Sequence, residues 1–191
     1  MCLSLASAST VGDANLIAYD IATAYGARHF WLPIPAIVET QEQWKYARSL
    51  PIVRDVLKKV EEASVIVTEL WPSSSHEGLV NKGVLRQEQA AVLEAHNTIV
   101  DINHWAFDAE GICINNEIEP PPYYLTGLEI PRLRDKVRSG GTKVVLIAGG
   151  SLSYIPCIQA ILRAGIANIL ITDHVTALRL VDAFSTRTDI V

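Results

Sequence analysis

The chain has 191 residues and a formal net charge of −5, with 49% hydrophobic and 19% charged residues. This composition is typical of a globular protein and excludes a disordered one, and the length predicts a single domain over residues 1–191. An acidic chain without a basic stripe gains nothing from the counterion release that drives binding to phosphate backbones, so we expect no direct contact with nucleic acid.

Cysteine usage and hydropathy bear on the cellular compartment. The three cysteines, Cys2, Cys113 and Cys157, are odd in number and far apart, which is typical of free thiols in a reducing compartment. The first residues do not show the pattern of a secretory signal peptide, and no apolar run approaches the ~20 residues of a membrane helix. We therefore expect a cytoplasmic protein without membrane contact.

Strands and helices alternate along the predicted chain. Ile17, Ile21 and Tyr25 recur at helical spacing, and Pro51 stands at the first turn of a later helix, a position that proline favours. In chain order the predicted elements are a strand at 1–5, a helix at 14–25, a strand at 28–32, helices at 40–49 and 51–63, a strand at 64–70, a loop at 71–78, a helix at 86–96, two strands within 97–115, an irregular segment at 117–124, a helix at 131–138, a strand at 142–150, a helix at 154–165, a strand at 168–172 and a final helix after Asp173.

This alternation predicts the fold class. The central strands are continuous apolar runs without a period of two, as expected for strands covered on both faces. We predict an α/β domain of three layers, Rossmann-like, with a mostly parallel sheet and helices on both faces. The two strands within 97–115 are expected to be joined by a tight turn at Asp108–Gly111.

Small and polar residues collect at the predicted strand ends, which crossover connections bring to one edge of the sheet. Loops of hydroxyl residues and glycines before helices offer backbone N–H groups to an anion, and acids and amides hydrogen-bond to sugar hydroxyls. The set favours a polyol or a sugar phosphate as ligand. The predicted ligand-binding residues are Ser7, Ser9, Thr10, Pro35, Ala36, Asp101, Asn103, Gly149, Gly150, Ser151 and Asp173.

Two acids of this set allow more than one interpretation. Asp101 lies in an apolar strand and must find partners, because burying an unpaired carboxylate is very costly; these partners are either a ligand or other protein groups. Asp173 stands between a strand and a helix, so it is either only the N-cap of that helix or also part of a pocket.

Other kinds of chemistry have little support in the sequence. The five histidines show no metal-ligand spacing, no G-x-S-x-G elbow is present, and Gly149–Gly150 is not a nucleotide-binding G-x-G-x-x-G. We expect no metal ion, no cofactor and no catalytic residue. Most of the four tryptophans should be core or interface residues, although one near a strand end could stack on a sugar ring.

Four blocks stand in an order that is familiar from one family. They read "AYGARHFWLPIPAIV", "DINHWAFDAEG", "VVLIAGG" and "NILITDHVTALRLV". From about residue 3 to residue 181, the chain resembles the effector domain of the SorC-type sugar-binding transcriptional regulators, which are SorC/DeoR-like proteins.

This resemblance implies a fold like that of sugar-phosphate isomerases and a domain that senses a sugar or sugar phosphate without converting it. It implies a homo-oligomer, a dimer or tetramer, whose contacts change when ligand binds. DNA contact is implied only through a helix-turn-helix segment that this chain lacks. By position, the resemblance places ligand contacts on residues 6–10 and 35–38, Asp101, Thr172 and Asp173.

Two departures from the family bear on phosphate recognition. Many relatives carry a lysine three places after the double glycine, where this chain has Ser153, and the usually glycine-rich loop after the third strand reads "TELWPSSS". The departures favour an unphosphorylated sugar or polyol, or an anion partner elsewhere, such as Lys82 or Arg86. They also fit a chain that has lost sensing.

Three functions are therefore to be compared. The preferred one is an effector-sensing domain of a transcriptional regulator. The alternative is a sugar-phosphate isomerase or deaminase-like enzyme in which Asp101 is the base and Asp173 its partner, although a shared fold does not establish an activity. The third is an oligomerisation module without a ligand, with Pro120–Tyr124 and Trp105 as its surface.

Overall fold

The computed structural model describes residues 2–3 and 14–188, in which strands and helices alternate. The strands are β1 (Cys2–Leu3), β2 (His29–Phe30), β3 (Ile37–Val38), β4 (Val65–Glu69), β5 (Trp71–Pro72), β6 (Val100–Ile102), β7 (Trp105–Phe107), β8 (Tyr124–Leu125), β9 (Lys143–Ile147) and β10 (Ile169–Ile171). The helices are α1 (Ala14–Ala24), α2 (Gln41–Ser49), α3 (Pro51–Glu61), α4 (His76–Asn81), α5 (Gln87–Ala95), α6 (Ile130–Ser139), α7 (Tyr154–Ala164) and α8 (His174–Thr188). Within these residues, no helix combines the length and the apolar composition needed to cross a membrane.

β9 lies at the centre of a parallel sheet. β4 pairs with it along its whole length, from Val65 opposite Lys143 to Glu69 opposite Ile147. β10 pairs in parallel on the other side of β9, and β1 and β2 form a second parallel pair. The predicted α/β class with a parallel sheet is confirmed.

The main core lies between this sheet and helices α6, α7 and α8. Val144 and Leu146 of β9 are fully buried and belong to one apolar cluster with Leu133 of α6, Ile161 of α7 and Leu180 of α8. Each such aliphatic side chain contributes about 1.5–3 kcal/mol when it is removed from water. This apolar cluster therefore holds in place the strands whose ends form the edge of the sheet.

The prediction for 97–115 was right about the tight turn at Asp108–Gly111, across which Phe107 pairs with Cys113 in an antiparallel bridge, but wrong in missing a second hairpin before it. β6 and β7 are joined by Asn103 and His104, whose φ angles of 48° and 65° suit the two-residue turn that fits the twist of a hairpin. The turn at Asp108–Gly111 exists but follows β7, where the N–H of Asp108 bonds to the carbonyl of Ile112. Asn103, predicted to lie in a strand, is thus a turn residue.

The predicted loop at 71–78 was also wrong. Trp71–Pro72 forms β5, which pairs antiparallel with β6; Ser73–Ser75 forms a short 3-10 helix; and His76 begins α4. Pairing with β6 and a buried contact of His76 hold this segment, and neither is visible in its local sequence. Similarly, β8 begins at Tyr124, the last residue of the segment predicted as irregular, and pairs with β3.

Gly111 lets the turn after β7 press against α7. Its φ is +81°, and a Cβ atom on it would lie 2.6 Å from both the carbonyl oxygen of Ala160 and the amide nitrogen of Ala164. Arg134 of α6 reinforces the contact, because its Nε donates to the carbonyl of Ala164 at 2.9 Å. A side chain larger than hydrogen would have to push two backbone segments apart.

We predict that Gly111→Ala lowers the free energy of unfolding by about 2–4 kcal/mol. The alanine would be forced into a left-handed backbone conformation, and its methyl group would also collide with the backbone of α7. The matched control is Gly83→Ala, at φ +70° with nothing within 4 Å of the new Cβ, which should cost about 1–2 kcal/mol. Urea unfolding measures the free energy lost in each variant, and we expect both variants to keep the m-value of the unaltered chain. Equal losses in the two variants would contradict the close packing on α7.

Candidate functional site

A cleft of about 420 Å³ opens at the carboxyl edge of β4, β9 and β10. This is the edge at which open parallel sheets bind ligands. Its lining residues come from the ends of the three strands, from the residues that follow them and from the start of α7. They are Glu69, Leu70, Trp71, Ile147, Ala148, Gly149, Gly150, Tyr154, Ile171, Thr172 and Asp173.

Asp173 joins two strand ends at the floor of this cleft. Its Oδ1 accepts a hydrogen bond from the backbone N–H of Thr176 at 3.0 Å, so the predicted N-cap of α8 is confirmed. Its Oδ2 accepts from the Thr176 hydroxyl at 2.7 Å and from the N–H of Gly150 at 2.8 Å. The bonds from Thr176, followed by the bond from Gly150, hold the pKa of Asp173 well below its ordinary value.

Gly149 makes room for this carboxylate. A Cβ atom at Gly149 would lie 2.6 Å from Oδ2 of Asp173 and 2.7 Å from the hydroxyl oxygen of Thr172. That hydroxyl oxygen is buried and has no hydrogen-bond partner within the described part of the chain. The structure therefore brings Gly149, Gly150 and Asp173 of the predicted set together in one cleft.

Glu69 and Trp71 form the facing wall, and the sequence-based prediction did not include them. The indole N–H of Trp71 donates to Oε1 of Glu69 at 3.2 Å, while 49% of the Trp71 surface stays exposed. Glu69 lies at the end of the predicted strand 64–70 and Trp71 directly follows it, so their position at a strand end was the signal available. The described lining carries two acids, Glu69 and Asp173, and no lysine, arginine or histidine.

Asp101 lies outside the lining of this cleft, in a buried pair with His76. Only 3% of Asp101 is exposed, and its Oδ2 is 2.7 Å from Nε2 of His76. The other carboxylate oxygen, Oδ1, is buried without a hydrogen-bond partner among the described residues. The partner that the sequence required for Asp101 thus includes a protein side chain.

The pair decides the protonation of His76. Burial alone would lower the pKa of His76, but the hydrogen bond and the negative charge of Asp101 outweigh burial, so the pKa is raised above 6.5. In the hairpin turn nearby, burial lowers the pKa of His104, although the charge of Asp101 acts in the opposite direction. His76 therefore keeps its proton to a higher pH than a free imidazole does, whereas His104 loses its proton at a lower pH.

The other described residues of the predicted set have structural contacts. The carbonyls of Pro35 and Ala36 accept from the Thr126 hydroxyl at 2.6 and 3.3 Å, which ties them to the β3–β8 pair. The hydroxyl of Ser151 lies 3.0 Å from that of Ser153, in the loop before α7. Neither group lines the cleft.

Ser7, Ser9 and Thr10 lie outside the described residues. In residues 2–3 and 14–188, no group of three or more histidine, cysteine, aspartate and glutamate side chains could hold a metal ion. In the surface predicted around Pro120–Tyr124 and Trp105, Tyr123 is buried and cannot contribute, whereas Pro120 is exposed and Trp105 is half-buried.

Comparisons with known proteins agree with this architecture. Residues 4–182 match the family described as "Putative sugar-binding domain". A comparison with curated proteins finds no match.

Solved structures with the same fold include several bacterial regulators. The structure titled "Putative Sugar-Binding Domain of Transcriptional Repressor" from Vibrio fischeri aligns with a TM-score of 0.78 at 19% identity, covering 95% of this chain and 69% of that one. A DeoR family transcriptional regulator from Listeria monocytogenes has a TM-score of 0.72 at 21% identity, covering 88% and 64%. The full-length sorbitol operon regulator SorC from Klebsiella pneumoniae has a TM-score of 0.77 at 16% identity, covering 94% and 57%.

The chain thus spans between 57% and 69% of the length of these three structures. The family match extends over nearly the whole chain, and the structural matches cover 88–95% of it. The chain therefore belongs to this sugar-binding domain family and has the fold of SorC- and DeoR-family transcriptional regulators over the part that it shares with them.

Proposed function

We propose that residues 1–191 act as one effector-sensing domain of a transcriptional regulator, which binds a sugar or polyol and does not convert it. The observation that carries the proposal is the cleft at the carboxyl edge of β4, β9 and β10, in a chain that belongs to a sugar-binding family. Carboxylates beside an exposed indole suit a carbohydrate, since acids accept bonds from its hydroxyls while an aromatic face covers its apolar side.

The charge of the cleft favours a neutral ligand over a sugar phosphate. Glu69 and Asp173 are both acids, and no cation stands among the described lining residues to offset them. The N–H of Gly150, which would otherwise be available to a phosphate, already donates to Asp173. A phosphate would have to compete with this internal carboxylate, and Ser153 offers no positive charge in the same loop.

Asp173 also offers a route from ligand to subunit contacts. It caps α8, and the same helix exposes Val175 and Leu178 to solvent. A ligand changes an oligomeric equilibrium only through its different affinities for the two states. We propose that this protein is a cytoplasmic homo-oligomer, that ligand in the cleft alters the start of α8, and that any contact with DNA is made by a part of the regulator outside this chain.

Titration calorimetry against matched pairs of neutral and phosphorylated ligands, such as ribose with ribose 5-phosphate and sorbitol with sorbitol 6-phosphate, tests the proposal. We expect heat of binding from a neutral member and about tenfold weaker binding in Glu69→Gln, the cost of one lost charged hydrogen bond.

The control is Glu77→Gln. Glu77 is an exposed acid of α4 that does not line the cleft, so this variant should bind as the unaltered chain does. No binding across the panel would refute a sugar sensor, and turnover of a phosphorylated member would favour the isomerase.

A second prediction concerns the floor of the cleft. Gly149→Ala should weaken binding of the same neutral ligand at least about tenfold, because the new methyl group displaces the Asp173 carboxylate and overpacks the floor. Gly141→Ala is the control, since nothing lies within 4 Å of its added Cβ. If Gly149→Ala bound the ligand with unchanged affinity, the cleft floor would not be the ligand site.

A further inference from the structure

The segment after β4 carries one wall of the cleft and is fastened at three points, two of them on β6 and one on Ile99 just before it. Trp71 stands directly opposite Asp101 in the β5–β6 pairing. The N–H of Ser73 donates to the carbonyl of Ile99 at 2.9 Å. His76, five places after Trp71, reaches back to Asp101 at 2.7 Å. Asp101 therefore contacts this segment at two places. It lies opposite Trp71 in the strand pairing and bonds to His76 at the start of α4.

The strand pairing alone is a weak fastening. β5 has two residues, of which Pro72 has no N–H to donate. The side chains of His76 and Asp101 are 9% and 4% exposed, so their mutual bond is protected from water and salt. Removing one member of a buried pair leaves the other charge uncompensated, and Oδ1 of Asp101 has no described partner that could take over.

We propose that His76 is a positioning residue: its buried bond to Asp101 fixes β5 and thereby holds the Trp71 indole in the wall of the sugar cleft. The role of the wall rests on the proposed function; the coupling between His76 and Trp71 does not. His76 is not among the described residues that line the cleft, so it acts through Asp101.

The coupling makes the wall sensitive to pH. The pKa of His76 is raised by Asp101, so the charged pair is complete below the unfolded value of 6.5 and is lost as the pH rises through the higher folded pKa. Burial lowers the pKa of His104, so a change in its charge falls below pH 6.5. Burial raises the pKa of Tyr123 and of Cys157 above their ordinary values of 10.0 and 9.0. Of these described groups around Asp101, His76 is the one whose pKa is raised from 6.5, so a titration with a midpoint just above 6.5 is assigned to it.

Fluorine NMR of the ligand-free protein labelled with 5-fluorotryptophan tests the proposal, with the Trp71 signal assigned by Trp71→Phe. Between about pH 5.5 and about pH 8.5, we expect the Trp71 signal to titrate with a midpoint above 6.5. The Trp44 signal should stay constant, because its indole N–H donates to the carbonyl of Leu125, away from the pair. A Trp71 signal that does not titrate overturns the proposal.

Two variants separate positioning from mere folding. His76→Gln keeps a hydrogen-bond donor but cannot titrate, so the Trp71 titration should vanish, whereas His96→Gln, an exposed histidine of the α5 C-terminus, should leave it intact. Asp101→Asn keeps the shape and removes the charge, so the midpoint should fall below that of the unaltered chain even if His76→Gln does not fold. A titration that persists in His76→Gln, or a midpoint unchanged in Asp101→Asn, overturns the proposal. Because no sugar is added, these results are independent of whether the cleft binds one.

Discussion

β9 pairs in parallel with a strand on each side, and this constraint decides where the functional groups can lie. Parallel strands must be connected by crossovers, so the residues that follow β4, β9 and β10 arrive at the same edge of the sheet. Glu69, Gly149 and Asp173 are separated by many residues in the chain, yet they line one cleft for this reason. The apolar cluster around Val144 and Leu146 keeps the three strands in register beneath it.

The features that depend on local signals could be predicted from the sequence. An apolar, β-branched run followed by an aspartate indicates a strand that ends at a helix N-cap, and Asp173 has that role. The glycine loop after β9 was predicted to offer backbone N–H groups to an anion, and the N–H of Gly150 donates to the Asp173 carboxylate. The long helices also followed from apolar spacing and from Pro51 at a first turn, and their ends agree with the structure to within a few residues, whereas the short α4 was not predicted.

The features that depend on distant partners could not be predicted in this way. Nothing in "WPSSSHEG" indicates a strand and a helix, because β5 is held by pairing with β6 and α4 begins at a residue bound to Asp101. The hairpin turn at Asn103 and His104 lacks the glycine that usually marks such turns. The sequence did establish that Asp101 needs a partner, but His76 lies 25 positions away and only the fold identifies it.

The carboxylates of Asp173 and Asp101 are stabilised by different interactions, and the difference determines which part of the site responds to pH. Asp173 is exposed and takes its bonds from Thr176 and from the backbone of Gly150, so its pKa is lowered and it stays ionised at every pH near neutrality. Asp101 is buried and depends on an imidazole that can lose its proton. The floor of the cleft therefore carries a fixed negative charge, whereas the wall at Trp71 is joined to a group that titrates. Under the function and the coupling proposed above, a change of pH near neutrality alters how firmly a ligand is covered without altering which charge it must have, so selectivity and affinity become separable properties of the site.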